Sequence, residues 1–308
     1  MVDLSSHPLT GVVAAIPTPV STDFVPNAGQ LIDLAERLLA QGCHGINLLG
    51  TTGEAVSFTR RERVRLMEDV SKRGDLVARM MVGTGAAAFD DAVELTRVAD
   101  RSGYRAALVL PPFYYKNITQ KEIADWVSFL IDRAAPRSAS IYLYNFPQMT
   151  GLTFERQSVA LLRERFGEVV AGLKDSSGNR KYAAELASLF PGFAVFPSNE
   201  ALLAERVQDG FAGCISASVN ASAALARAVH DDPVGARISG VVDQMNAIRT
   251  ALTQLPLVPA LKALVGSDLN DGNWARTVPP LEPLDETMTC QLMKAVTEIK
   301  SGQKMKVN

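Results

Sequence analysis

The chain has 308 residues, 47% of them hydrophobic and 21% charged, the composition of an ordinary globular protein. Its 31 basic and 33 acidic residues give a formal charge of −2, which excludes a polycationic nucleic-acid surface and an acidic tail and leaves small molecules as the expected partners. Three scattered cysteines, Cys43, Cys214 and Cys290, exclude a disulfide framework and a thiolate metal site, and fit a reducing compartment.

From about residue 12 to about residue 230, short apolar or β-branched runs alternate with longer amphipathic ones. The runs at 12–18, 45–50, 78–84, 105–111, 140–145, 169–175, 194–198 and 213–217 predict eight strands, each apolar throughout, as in a parallel sheet covered on both faces. Between the first two, Leu31, Leu34, Ala35, Leu38 and Leu39 follow the stripe of a helix that Gly42 terminates. Ile123, Val127, Leu130 and Ile131 mark a second such face. Eight strand-helix units predict a (β/α)8 TIM barrel rather than an open doubly wound sheet, and no G-x-G-x-x-G follows the first strand. Beyond residue 230, helical patterns at about 234–253, 256–265 and 284–301 predict a C-terminal helical appendage. The expected division is a barrel over 1–230 that carries the active site and a helical extension over 231–308 that packs on the barrel and on a neighbouring subunit.

No run approaches the roughly 18 uninterrupted apolar residues of a membrane span. The segment from Met1 to Pro8 lacks a charged stretch followed by an apolar one, so a cytoplasmic protein is expected. His7, His44 and His230 are too scattered to suggest a metal site, and no metal is expected.

Reactive groups of such barrels sit at the carboxyl ends of the strands. In Val169-Val170-Ala171-Gly172-Leu173-Lys174-Asp175, an amine ends a buried strand, where desolvation favours the neutral, nucleophilic form. Taken alone, Lys174 reads more readily as an exposed lysine at a strand-loop junction, and the rest of the chain reverses that reading. Gly50-Thr51-Thr52-Gly53-Glu54 follows the second strand and can turn successive N–H groups toward an anion, although either threonine could be a helix cap. Pro111-Pro112-Phe113-Tyr114-Tyr115 follows the fourth strand, and Tyr142-Leu143-Tyr144-Asn145-Phe146-Pro147 ends the fifth. Together they supply an amine, two phenols, a hydroxyl and an anion-binding turn, the equipment for imine chemistry on a 2-oxo acid.

These residues resemble the dihydrodipicolinate synthase and N-acetylneuraminate lyase family of class I, Schiff-base aldolases, over nearly the whole chain. The GTTGE run at 50–54, Tyr-Asn-x-Pro-x-x-Thr-Gly at 144–151, Gly172-Leu173-Lys174-Asp175 and Gly213-Cys214-Ile215-Ser216 occur in the family's order. The resemblance implies that Lys174 forms the imine, Tyr144 shuttles the proton, Thr51 relays it, and Tyr114 is a phenol contributed across a subunit interface. It implies that Thr51 and Thr52 hold the pyruvate carboxylate, that Ile215 faces the site through its carbonyl, and that a homodimer or homotetramer forms. No cofactor is implied beyond the covalent imine.

Departures from the family pattern narrow the expectation. Dihydrodipicolinate synthases carry an arginine two residues before the glycine of the strand-5 motif, and here that position is Met149, which offers an acidic second substrate no donor. Arg60, Arg63 and Ala87 replace residues of the lysine-feedback site, and two cations there would repel lysine. The segments at 144–147, 213–218 and 279–286 look most like the bacterial 2-keto-3-deoxygluconate aldolase branch. Asn199 and Glu200 align with positions that bind the polyol chain in sugar-acid lyases, or else cap a helix. The expected function is reversible cleavage of a 2-oxo-3-deoxy sugar acid into pyruvate and an aldehyde. Dihydrodipicolinate synthesis, sugar-acid dehydration and non-enzymatic sensing of a 2-oxo acid are the alternatives.

Overall fold

In the computed structural model, which describes residues 9–302, the eight predicted strands are all present. They are β1 (Gly11–Ala15), β2 (Gly45–Leu48), β3 (Met80–Gly83), β4 (Ala106–Val109), β5 (Ser140–Asn145), β6 (Val170–Asp175), β7 (Ala194–Pro197) and β8 (Gly213–Ser216). They form one parallel sheet in the order β7-β6-β5-β4-β3-β2-β1-β8. The Ala212 amide donates to the Val195 carbonyl at 3.0 Å and brings β8 back against β7, so the sheet curls into a (β/α)8 barrel. Strands 1 and 4 stop short of the predicted 12–18 and 105–111. Pro17 and Pro111 lie in those overhangs, with Pro19 and Pro112 just beyond, and proline has no amide to give to a ladder.

Strand alternation is present but invisible as polarity, because both faces are apolar. Val12, Ala14 and Ile16 pack outward under the helices, while Val13 and Ala15 point inward with Met81, Leu108, Tyr142, Phe196 and Ile215 to fill the barrel. The surrounding helices are α1 (Ala28–Ala40), α2 (Arg60–Ser71), α3 (Phe89–Arg101), α4 (Gln120–Ala134), α5 (Arg156–Phe166), α6 (Arg180–Leu189) and α7 (Val219–Asp231). The predicted stripe of α1 is its buried face, through Leu31, Leu34, Ala35 and Leu38. Capping boxes start α2 (Thr59 with Glu62) and α4 (Thr119 with Glu122). Between β7 and β8 the chain makes only a 3-10 helix, Glu200–Glu205, and one turn, Arg206–Asp209.

Three further long helices follow, α8 (Val241–Thr253), α9 (Leu257–Leu269) and α10 (Glu286–Lys300). The single helix expected over 234–253 is broken into Pro233–Ile238 and α8, because Gly240 adopts a left-handed conformation at φ 76°. Ile248, Leu252, Leu261, Leu264, Leu292 and Val296 share a core that reaches Ala221 of α7. No helix among the described residues is long and apolar enough to cross a membrane.

At the amino-terminal end of the barrel the histidines are not scattered as the sequence suggests. The His44 and His230 rings lie 4.7 Å apart, and with Asp231 they offer ligand atoms within 4.8 Å of one another; His7 lies outside the described residues. The group is ill-suited to a metal. Nδ1 of His44 accepts the Val12 amide at 3.0 Å, so the neutral ring carries its proton on Nε2, and Asp231 is held by Arg227 at 2.7 Å. Burial and the charges of His230, Arg227 and Arg79 push the His44 pKa down to about 4. The folded state therefore favours neutral His44, and its contribution to stability is complete above the unfolded pKa of about 6.5 and is lost as pH falls toward about 4. His44→Gln keeps an acceptor for Val12 without titrating. Urea unfolding between pH 7 and pH 4.5 should show a smaller loss of stability for His44→Gln than for wild type; parallel pH profiles would contradict this.

Candidate functional site

The ends of β5 and β6 place the central pair. Tyr144 and Lys174 are register partners on adjacent parallel strands, both pointing into the barrel, while Leu143 and Leu173 point outward. Lys174 is 4% exposed, and its Nζ lies 4.4 Å from the centroid of the Tyr144 ring. No carboxylate among the described residues pairs with it. The neighbouring Asp175 is turned away. Its Oδ1 accepts from Asn145 Nδ2 at 2.8 Å and from the Ser177 amide at 3.1 Å, and its Oδ2 accepts from Ser177 Oγ at 2.9 Å. Burial raises the Asp175 pKa, and these bonds oppose the rise. The result is an amine seated on a phenol ring at an apolar strand end, with no carboxylate of the described residues paired to it.

The turn Gly50–Glu54 hangs over the same mouth. The amides of Gly53, Glu54 and Ala55 bond back to the carbonyls of Gly50 and Thr51, which closes the turn tightly. The amides of Thr51 and Thr52 make no hydrogen bond to any described residue, so two adjacent donors are free for an anion. Thr51 Oγ1 lies 3.2 Å from the Tyr144 hydroxyl, which makes a continuous Lys174-Tyr144-Thr51 cluster. Neither threonine caps a helix, since Thr59 does that for α2. Gly83 permits this arrangement, because a Cβ there would lie 2.0 Å from the Leu49 carbonyl oxygen.

Lys174, Tyr144, Thr51, Thr52, Ile215 and Met149 line one cavity of about 410 Å³. Sequence reading missed the other wall, made by Ser176, Ser198, Arg249 of α8 and Leu257 and Val258 of α9. Met149 is 64% exposed at the rim. Tyr114 is 74% exposed and stacks edge-on with Tyr115 at 5.4 Å, outside the cluster of its own chain. A second, apolar cavity of about 210 Å³ opens on the far side of Thr51, Tyr144 and Met149, with Leu108, Leu110 and Phe113 in its wall.

Asn199 and Glu200, expected against a polyol, do not line the main cavity. Asn199 caps the 3-10 helix by accepting the Ala201 amide at 3.1 Å. Glu200 is fully buried behind the wall, where it accepts from Ser216 Oγ at 2.6 Å, from Ser218 Oγ and from Arg249 Nη1 at 2.8 Å. The expectation of two repelling cations at the feedback position also changes. Arg60 pairs with Asp91 at 2.8 Å, and buried Arg63 donates to the carbonyls of Gly85 at 2.9 Å and Gly83 at 2.8 Å. Both guanidinium groups are engaged by the protein itself. Cys43 and Cys214 are buried thiols, and burial raises the pKa of each, to about 12 for Cys43.

The Glu200 network generates a stability prediction. Glu200→Ala leaves Arg249 and two serine hydroxyls facing a hole and should cost about 3–5 kcal/mol in urea unfolding, whereas Glu200→Gln, which retains an acceptor, should cost less. Equal costs for the two variants would contradict this acceptor role of the Glu200 carboxylate.

The sequence pattern of the dihydrodipicolinate synthetase family matches residues 8–299. The chain is 34% identical over 301 residues to an uncharacterized DapA-like lyase from Chloroflexus aurantiacus, covering 95% of this chain and 97% of that one. Its fold superposes on dihydrodipicolinate synthase from Agrobacterium tumefaciens with a TM-score of 0.86 at 28% identity, covering 94% and 99% of the two chains. It superposes on a variant of the Sulfolobus solfataricus 2-keto-3-deoxygluconate aldolase with a TM-score of 0.84 at 21% identity, covering 95% and 97%, a likeness of fold. Matched over residues 8–299, and with Lys174, Tyr144 and Thr51 gathered at one barrel mouth, the chain belongs to the dihydrodipicolinate synthetase family.

Proposed function

We propose that the protein is a class I, pyruvate-dependent aldolase that reversibly cleaves a 2-oxo-3-deoxy sugar acid to pyruvate and an aldehyde in the cytoplasm. The observation that carries this reading is the buried, unpaired Lys174 amine on the Tyr144 ring, with Thr51 3.2 Å from the Tyr144 hydroxyl. Lys174 attacks the C2 carbonyl and expels water to give a protonated imine. The free amides of Thr51 and Thr52 receive the carboxylate. The imine accepts the electron pair of the breaking C3–C4 bond as an enamine, while Tyr144 removes the C4 hydroxyl proton and passes it toward Thr51. Protonation of the enamine at C3 and hydrolysis of the imine release pyruvate and restore Lys174. This route uses the imine as its electron sink and needs no metal.

Three features favour a polyol chain on the aldehyde half. Met149 supplies no cation at the rim, and Ser176, Ser198 and Arg249 supply donors along the opposite wall. Arg249 spends Nη1 on Glu200, Ser198 and Ser218, and makes no bond through Nε or Nη2 to the described residues, so those donors are free for hydroxyl groups. Tyr114 completes the proton path from a second copy of the chain. Its exposure, together with that of Val56 and Met149, which line the apolar cavity behind Thr51 and are 69% and 64% exposed, fits a paired surface at this mouth.

Incubation with 2-oxo-3-deoxy sugar acids should release pyruvate and a polyhydroxy aldehyde. Release of a dehydrated acid without C–C cleavage would replace the aldolase by a dehydratase. Tyr144→Phe should lower turnover by about 10²–10⁴ while pyruvate still binds; full activity would contradict the shuttle. Tyr114→Phe should lower turnover with the subunit association in sedimentation unchanged, and an unchanged rate would contradict its place in the proton path.

A further inference from the structure

Glu54, the last residue of the GTTGE run, has no part in the chemistry above, and its side chain is fully buried against an equally buried cation from the far end of the chain. Its Oε2 pairs with Nζ of Lys262 on α9, and both side chains are 0% exposed. Its Oε1 accepts the amide of Val278 at 2.7 Å, across 224 residues of sequence. The Lys262 ammonium also donates to the Arg276 carbonyl at 2.7 Å. One carboxylate thus fastens the end of the turn to both a helix and the strap that follows it.

The turn needs such a fastening. Leu49 and Glu54, the residues that bracket it, both take left-handed backbone conformations, at φ 50° and 53°, which side-chain-bearing residues adopt only when their surroundings impose them. Inside the turn, Thr18 Oγ1 holds the Gly53 carbonyl at 2.8 Å. Between these anchors hang the unbonded amides of Thr51 and Thr52 and the Thr51 hydroxyl. Burial opposes charge on Lys262 and the Glu54 carboxylate favours it, as in a pair that exists for its partner's sake.

We infer that Lys262 and Glu54 are positioning residues for the 2-oxo acid site: their buried ion pair holds the turn so that the Thr51 and Thr52 amides converge on the substrate carboxylate. This rests on the aldolase reading for the identity of the anion. Neither residue touches the cavity that holds Lys174, so the effect reaches the substrate through the turn.

The test is borohydride trapping of wild type, Lys262→Met, Glu54→Gln and the double variant over graded pyruvate, with thermal unfolding of each. Removing one partner strands a buried charge and should lower the melting temperature. The double variant replaces the pair by neutral groups of similar size and should melt near wild type. Its half-saturating pyruvate should nevertheless rise about tenfold or more, with the saturating trapping rate within about threefold of wild type. Hydrogen exchange of the 50–55 segment in Glu54→Gln should accelerate while the barrel strands stay protected, a readout that does not depend on the double variant. Wild-type half-saturation and wild-type exchange in the folded variants would overturn the inference. So would a fall in saturating rate alone, which would place the effect on Lys174. No adduct on wild type itself would remove the aldolase reading, and the inference with it.

Discussion

The register between β5 and β6 is the constraint on which the chemistry depends. A parallel pair has a side-chain period of two, so a slip of one residue would turn Lys174 outward under the helices and bring Leu173 into the mouth. The register shifts between Ile141 and Tyr142, beside Gly172. A Cβ at Gly172 would lie 2.2 Å from the Ala194 carbonyl oxygen and 2.5 Å from the Tyr142 ring, so only glycine permits the close approach. Beyond that irregularity Tyr144 meets Lys174 and Asn145 meets Asp175, and the second match draws the carboxylate into hydrogen bonds away from the amine. One local accommodation therefore seats the amine on the phenol and turns the neighbouring carboxylate away from it.

The helices after residue 240 are part of the same construction. Leu257 and Val258 of α9 and Arg249 of α8 form a wall of the cavity, and two acid–base pairs, the buried Glu54 with Lys262 and the buried Glu200 with half-buried Arg249, join these helices to the ends of β2, β7 and β8. A buried pair gives little net stability, since desolvation offsets attraction, but it specifies one arrangement because any other leaves a charge unmet. In this barrel those arrangements set the Gly50–Glu54 turn over the mouth and the opposite wall of the cavity that holds Lys174.

The strands and the placement of Lys174 and Tyr144 were legible in the sequence because they are local: eight apolar runs at regular spacing, and a lysine and a tyrosine at the ends of two of them. Their ends were less legible at β1 and β4, where the prolines that follow truncate the ladder. The helix over 234–253 read as one because its apolar spacing continues through Gly240, whose left-handed backbone breaks it. Arg249, Lys262 and the histidine pair were illegible for a different reason. Their partners lie far along the chain, and neither periodicity nor spacing records which distant carboxylate or ring the fold will bring to them. Asn199 takes the capping alternative of its two readings, while the Glu200 side chain is directed into a buried network that its place in the chain does not reveal.

The central claim is that Lys174 is a carbonyl-trapping nucleophile. It is tested most directly by reducing the protein with borohydride in the presence of pyruvate, measuring intact mass, and mapping the modified peptide, with Lys174→Ala alongside. The account predicts one reduced pyruvate adduct on wild type, located at Lys174, and none on the variant. An unmodified wild-type protein, or an adduct that persists in Lys174→Ala, would contradict it.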